Sequence, residues 1–393
     1  MYLIDIIKKY RYEVTLPATA KKAKKRDRAS INTLPDKAKI PALDEVFSWL
    51  LNAQRHNKLA DDGYARDYSF INGWASSYPE TTGYIIPTLI VAAHRCNRPD
   101  LQQSAKKALD WLVSIQLENG AFQGGKIDSL PVVPVTFNTG QILLGLAAGL
   151  EEFGPTYLDS TVKAADWLCE TIDDDGCWRQ FPTPFAANGE KAYETHVAWG
   201  LMEAAKATGQ EKYLVCALKN VDWALTKQQG NGWFSDCCLE DPQAPLTHTI
   251  GYVLRGVVEA YLHSKEQKYL DAAMLTAKPL AELLLNDAFL PGRLNSDWTG
   301  AVKWSCITGS VQIAACLLLL NEVSANETFV QAAKNANMFA RKTIKISQGQ
   351  AYSGGVQGSY PVDGGYGHYQ QLNWAAKFFI DAQLMELAVE SGV

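Results

Sequence analysis

A segment that the chain writes three times constrains its fold more than any other feature. Asp110-Trp111-Leu112, Gln116 and Gly120-Ala121-Phe122 return 56 positions later as Asp166-Trp167-Leu168 and Gly176-Cys177-Trp178. Another 56 positions on come Asp222-Trp223, Gln228 and Gly232-Trp233-Phe234, and in every copy the Gly follows the Trp by nine positions. A further copy stands upstream as Trp49-Leu50 and Gln54, with an insertion before Asp62-Gly63. A unit repeated at this period cannot bury its apolar stripe alone, so neighbouring units must pack together.

Around these copies, apolar residues recur at helical spacing from residue 43 onward. First helices of a pair are predicted near 43–55, 101–117, 159–172, 211–228, 267–286 and 326–346, and second helices near 82–95, 138–151, 194–207, 248–263, 306–322 and 371–390. Pro279 should bend or restart the fifth first helix. Thr81, Asn138, Thr195, Thr247, Ser305 and Asn373 stand where the second helices begin, as N-caps would. Loops inside each pair are long and rich in Gly, aromatics and polar groups, whereas loops between pairs are short. The expected architecture is therefore all-α: six helical hairpins closing into a ring over residues 41–393, second helices inside, their N-termini facing an elaborated rim.

Residues 1–40 are expected to form an extended, partly basic arm. Its run Lys21, Lys22, Lys24, Lys25, Arg26, Arg28 reads as a solvated flexible segment, or as a docking segment for an anionic partner. A net charge of −5 argues against nucleic acid as the main partner. The apolar runs Ile142–Leu150 and Ile313–Leu320 are too short to span a bilayer. Met1–Tyr12 lacks a basic start and a cleavage site, and the eight cysteines show no disulfide or zinc-knuckle spacing. Reduced thiols and a cytoplasmic location are the expectation.

The pattern resembles the (α/α)6 toroids: the squalene-cyclase and protein-prenyltransferase superfamily, and the (α/α)6-barrel carbohydrate-active enzymes. Gln116–Phe122 and Gln228–Phe234 look like the QW motif of triterpene cyclases, which implies a structural role for Gln116, Phe122, Trp178, Gln228 and Trp233. The cyclases' Asp-x-Asp-Asp proton donor is absent. Prenyltransferases hold zinc through an Asp-x-Cys and a His; here Asp236-Cys237-Cys238 lies well before its helix, so neither metal nor other cofactor is expected.

The rim residues carry the functional reading. His196, His248 and His368 lie at or beside second-helix starts, and His196, His248, Asn138 and Tyr252 are the acid–base set a glycan lyase or sugar epimerase needs. Glu80 and Glu194, each just ahead of a second helix, are the candidate carboxylate pair for glycoside hydrolysis. Trp74, Tyr78, Trp178, Trp304, Tyr360 and Trp374 offer aromatic faces for sugar rings. Arg179, Asp363, His368 and Asn373 add polar contacts. Converging helix N-termini favour an anionic group, hence an acidic, uronate-bearing saccharide. The expected function is cleavage of a glycosidic bond by paired carboxylates. The alternatives are lyase or epimerase chemistry, a terpenoid-cyclase or prenyltransferase-like enzyme, and a non-catalytic glycan-binding toroid.

Overall fold

The structure, a computed structural model, describes residues 12–28, 31–184 and 189–392. After a short helix α1 (Ala18–Asp27), twelve helices alternate between two rings. The outer ring is α2 (Lys39–Arg55), α4 (Pro99–Ser114), α6 (Leu158–Thr171), α8 (Glu211–Leu225), α10 (Gln267–Asn286) and α12 (Glu327–Thr343). The inner ring is α3 (Pro79–Cys96), α5 (Thr136–Phe153), α7 (Thr195–Thr208), α9 (Thr247–Ser264), α11 (Ile307–Ser324) and α13 (Asn373–Ser391). Each inner helix packs on the next, and α13 closes the circle against α3. The fold is an all-α (α/α)6 toroid. α10 runs through Pro279 as one helix.

Neighbouring inner helices α3, α5 and α7 pack most intimately; between the rings, each inner helix lies against the outer helix that follows it across a short loop, and the long-loop pairs touch less. The sixth such pair joins the chain's two ends, α13 against α2. The repeated residues explain the spacing. Asp110, Asp166 and Asp222 accept hydrogen bonds from Tyr157, Tyr213 and Tyr269, at or just ahead of the first turn of the next outer helix, at 2.5, 2.9 and 2.9 Å. Gln116 Nε2 donates to the carbonyls of Gly120 and Ser160, and Gln228 Nε2 to that of Ala272, tying each helix end to its neighbour. Gly120 has φ +88°, and a Cβ there would meet the Lys163 carbonyl oxygen at 2.4 Å. Gly354 (φ +81°) makes the equivalent approach to Glu45 of α2, so the motif also closes the ring where its sequence signature has faded.

Apolar side chains from both rings form one continuous core, with Phe47, Trp49, Phe122 and Phe329 almost wholly buried. Each side chain of this kind contributes about 1.5–3 kcal/mol on burial. α11 is long and apolar enough to cross a membrane by composition, yet 72% of that window is buried inside the barrel. The eight cysteines are free thiols.

Small sheets staple the rim. β1 (Asp67–Ser69) pairs antiparallel with β2 (Gly73–Trp74) and with β5 (Gln370–Leu372), Asp67 opposite Leu372, joining the first long loop to the last. β3 (Ser305–Cys306) pairs antiparallel with β4 (Ser359–Tyr360).

Two expectations change here. Among the described residues, the arm is a docked helix: α1 packs Ala20 and Ala23 with Phe70, Val362 and Tyr369, and Asp27 accepts from Gln357 Nε2 at 2.8 Å and the Val362 N–H at 2.9 Å. The stretch 1–11 lies outside the described residues. The polar residues at inner-helix starts are not N-caps. Several tether neighbouring segments instead: Thr247 Oγ1 donates to the Gly292 carbonyl, Thr195 Oγ1 to the Val253 carbonyl, and Asn373 Nδ2 to the Ala65 carbonyl and Thr81 Oγ1, while the next residues Thr139 and Thr249 bond the Phe122 N–H and the Cys237 carbonyl.

Candidate functional site

Five inner helices enter the barrel in a shared register, and α7 begins at least one turn deeper, its Thr195 Oγ1 within reach of the Val253 carbonyl of α9. The second residues of the six are Glu80, Phe137, His196, His248, Thr308 and Trp374, and their sixth are Tyr84, Gln141, Gly200, Tyr252, Gln312 and Phe378. Four residues is about one turn, so these sets form two stacked layers, except that His196 of the deeper α7 lies in the lower one, beside Tyr84, Gln141, Tyr252 and Phe378. A cavity of about 300 Å³ opens above them, lined by Glu80, Phe137, His248 and Trp374 from the first layer and Tyr84 and Tyr252 from the second. Loop residues Arg66, Tyr78, Tyr193, Glu240 and Tyr366 complete its wall. Arg66 and Tyr78 also line an outer cleft of about 660 Å³ containing Trp74.

The two histidines are held alike. His196 Nδ1 lies 2.6 Å from Gln141 Oε1, and His248 Nδ1 lies 2.5 Å from Gln312 Oε1, each Gln coming from the adjacent inner helix. An amide oxygen only accepts, so each Nδ1 carries the proton and each Nε2 keeps its lone pair. The Tyr252 ring lies between them, 4.4 Å from His196 and 4.3 Å from His248. Burial keeps both imidazoles neutral, pushing His248 down to about 4 and His196 well below its ordinary value. Only His248 reaches the cavity; His196 is buried, its Nε2 without a hydrogen bond.

Glu80 Oε2 accepts a 2.9 Å bond from the Tyr78 hydroxyl. Burial outweighs that bond and the nearby Arg66 charge, raising its carboxyl to about 7. Arg66 pairs with Asp67 at 2.8 Å and lies 5.1 Å from the Trp374 ring, whose Nε1 donates to the Tyr366 hydroxyl. The Tyr252 hydroxyl interacts with that of Tyr84, and burial holds both phenols protonated.

The other expected site residues lie elsewhere. Glu194 does not line the cavity; its carboxyl is buried near Lys191 and raised to about 8 by desolvation. Asn138 is buried, its Nδ2 without a partner. Trp178 donates its Nε1 to the Leu168 carbonyl, a structural staple. Arg179 is spent on Asp173, Asp175 and Glu190 at 2.5–2.9 Å. Trp304 packs around Gly292 and Gly365, and Tyr360 stands edge-on to Phe339. Asp363 pairs with Lys24 at 2.9 Å, and His368 stacks on Tyr12, so both serve the arm. Asn373 is a ring-closing tether.

Arg66, Tyr84 and Gln312 were not anticipated. Tyr84 and Gln312 could have been found from the second-and-sixth register; Arg66 sits in a loop hairpin without periodicity. Among the described residues, the acidic and imidazole groups close enough together to share a metal ion are Glu203, Glu259 and His263 at the opposite barrel end, where Arg255 and Trp199 already bond the two carboxylates.

No family model and no curated protein sequence matches the chain. Solved structures do match. An unsaturated glucuronyl hydrolase from Bacillus sp. GL1 aligns with a TM-score of 0.68 at 16% identity, over 89% of this chain and 97% of that one. A cellobiose 2-epimerase from Bacillus thermoamylovorans gives 0.68 at 12%, over 88% and 96%. A polysaccharide lyase gives 0.61 at 11%, over 91% and 99%. These likenesses establish the toroid; the reaction rests on the site.

Proposed function

We propose that this chain is a carbohydrate-active enzyme that moves a carbon-bound proton on an acidic saccharide. The observation that carries the reading is His248: a neutral imidazole whose Nε2 is left as an acceptor at the cavity, against the Tyr252 ring. In this scheme protonated Glu80 and Arg66 bind the carboxyl group of a uronate, lowering the acidity barrier of the adjacent C–H. His248 Nε2 removes that proton, and Tyr252 donates its own to the leaving glycosidic oxygen, giving an unsaturated sugar. Return of a proton to the opposite face instead gives an epimer. The solved structures' spread across hydrolase, epimerase and lyase is compatible with such a cavity.

Hydrolysis is the second reading, favoured by one feature: a carboxyl raised to about 7 is suited to general-acid work. A carboxylate pair needs a partner, and Glu194 does not line the cavity; the second lining carboxylate is Glu240, which pairs with Arg293 at 3.2 Å.

Mass spectrometry of uronate oligosaccharides in deuterated water separates the outcomes. Unsaturated products without water uptake support elimination, and deuterium in an uncleaved sugar supports epimerisation. Products heavier in sum by one water select hydrolysis. No turnover of any uronate saccharide overturns the proposal.

A further inference from the structure

Where α1 docks on the toroid it leaves a cleft of about 860 Å³, remote from the barrel axis in sequence and walled by two kinds of side chain. Lys22, Arg26, Lys37 and Lys345 supply positive charge, and Phe70, Tyr352 and Ile344 supply apolar faces. The Phe70 and Tyr352 rings are 5.6 Å apart. Lys345 is 7% exposed, and its ammonium makes no hydrogen bond among the described residues; Asp27 Oδ1 stands 3.8 Å away and also lacks one. Arg26 and Lys37 donate only to main-chain carbonyls, at Thr343 and Ile344 and at Arg341 and Lys342. Asp36 is taken by Arg341. Burial and the mutual repulsion of these cations depress the Lys37 and Lys345 ammoniums to about 8. Three cations line the cleft and a fourth, Lys345, is covered behind it 4.7 Å from the Phe70 ring, against a single loosely placed carboxylate, so the cleft carries positive charge that an anion would offset.

This cleft is not isolated from the catalytic cavity. Arg66 and Tyr78 are common to the cavity and the outer cleft, and Trp74 is common to that cleft and a third one of about 460 Å³. Gln350 in turn lines both the third cleft and the basic one.

We infer that the basic cleft is a distal subsite for the acidic groups of a long saccharide whose reacting end occupies the barrel cavity. The chain would pass over Trp74 and Gln350, its rings against aromatic faces and its carboxylates or sulfates against Lys22, Arg26 and Lys37, with the covered Lys345 ammonium behind them over the Phe70 ring. The inference rests on the acidic-saccharide reading and deepens it. It assigns the arm, whose docking buries Lys24 and Asp27, to substrate length selection.

The test compares short and long uronate oligosaccharides, by calorimetric binding and by turnover, on the wild type, Lys22→Ala and Lys345→Met. Lys22 is exposed, so its removal spares folding. The expected result is a Kd and KM raised roughly tenfold per variant for long chains, unchanged for short ones, with kcat unchanged. Affinity of the wild type for long chains should also fall above about pH 8, where the Lys37 and Lys345 ammoniums deprotonate. Equal binding of short and long chains by the wild type overturns the subsite, even if turnover is normal. Inorganic phosphate or sulfate binding that Lys22→Ala weakens, without any chain-length dependence, assigns the cleft to a free anion and likewise overturns it. Length-dependent binding without turnover keeps the subsite and sinks the catalytic reading alone.

Discussion

The two ends of the barrel treat buried charge in opposite ways. At the floor, each buried cation is paired one turn along its own helix: Arg255 with Glu259 and Lys377 with Asp381, both at 2.6 Å. Arg255 also lies 4.0 Å from the Trp199 ring. At the mouth Arg66 is paired with Asp67, but among the described residues Glu80 and His248 form no ion pair and are kept neutral by desolvation. The floor holds charge by satisfying it, which makes it a structural plug. The mouth suppresses charge on both groups, which leaves Glu80 able to exchange its proton near neutrality and His248 an uncharged acceptor there.

Four changes would break or sharpen this contrast. The largest effect is expected at the mouth, on rate: His248→Ala should lower kcat about 10²–10⁴-fold on the substrate identified by the saccharide panel. Its unfolding midpoint in urea should shift much less than that of a floor variant. Arg255→Ala should do the reverse, costing about 3–5 kcal/mol in urea unfolding because Glu259 is left buried and unpaired. A loss below about 1 kcal/mol would mean water relieves Glu259.

The third is a pH effect at Glu194. Burial raises its folded pKa from 4.5 to about 8. The folded state therefore holds this proton more tightly, and the stability it contributes is present below about pH 4.5 and lost as pH rises through about 8. Glu194→Gln cannot ionise. Its thermal stability should lie within about 1 kcal/mol of the wild type near about pH 5 and exceed it by about 4–5 kcal/mol near about pH 9. Parallel melting curves at both pH values would show that Glu194 is solvated. The histidines pull the other way: their pKa is depressed, so their contribution is lost as pH falls below about 6.5. The smallest effect should come from Trp74→Ala, about 1 kcal/mol in saccharide binding and almost nothing in kcat.

Much of the frame was legible in the residues. Helix pairs, their order and their approximate bounds followed from apolar spacing, and the repeated Asp-Trp, Gln and Gly marked contacts between successive outer helices. The Thr-His pairs at 195–196 and 247–248 mark the starts of two inner helices, but α7 begins deeper than α9, with Thr195 beside Val253. Site residues were less legible because facing depends on register at single-residue precision. Glu80 is the second residue of α3 and lines the cavity, whereas Glu194 precedes α7 by one position. Two residues of displacement turn a side chain roughly 200° about the helix axis, so two carboxylates that look equivalent in sequence diverge. Asp363 and His368 read as rim groups, yet the docked arm claims both.

The sequence by itself determined the toroid, because helical periodicity and the repeated neighbour contacts are local properties that each unit states in full. Only the tertiary structure decided which rim groups converge, which histidine reaches the cavity, and that the basic arm docks as a helix beside a cleft. Those outcomes depend on what covers each group, and desolvation is set by residues distant in the chain. Arg66 meets Trp374 only because the ring closes.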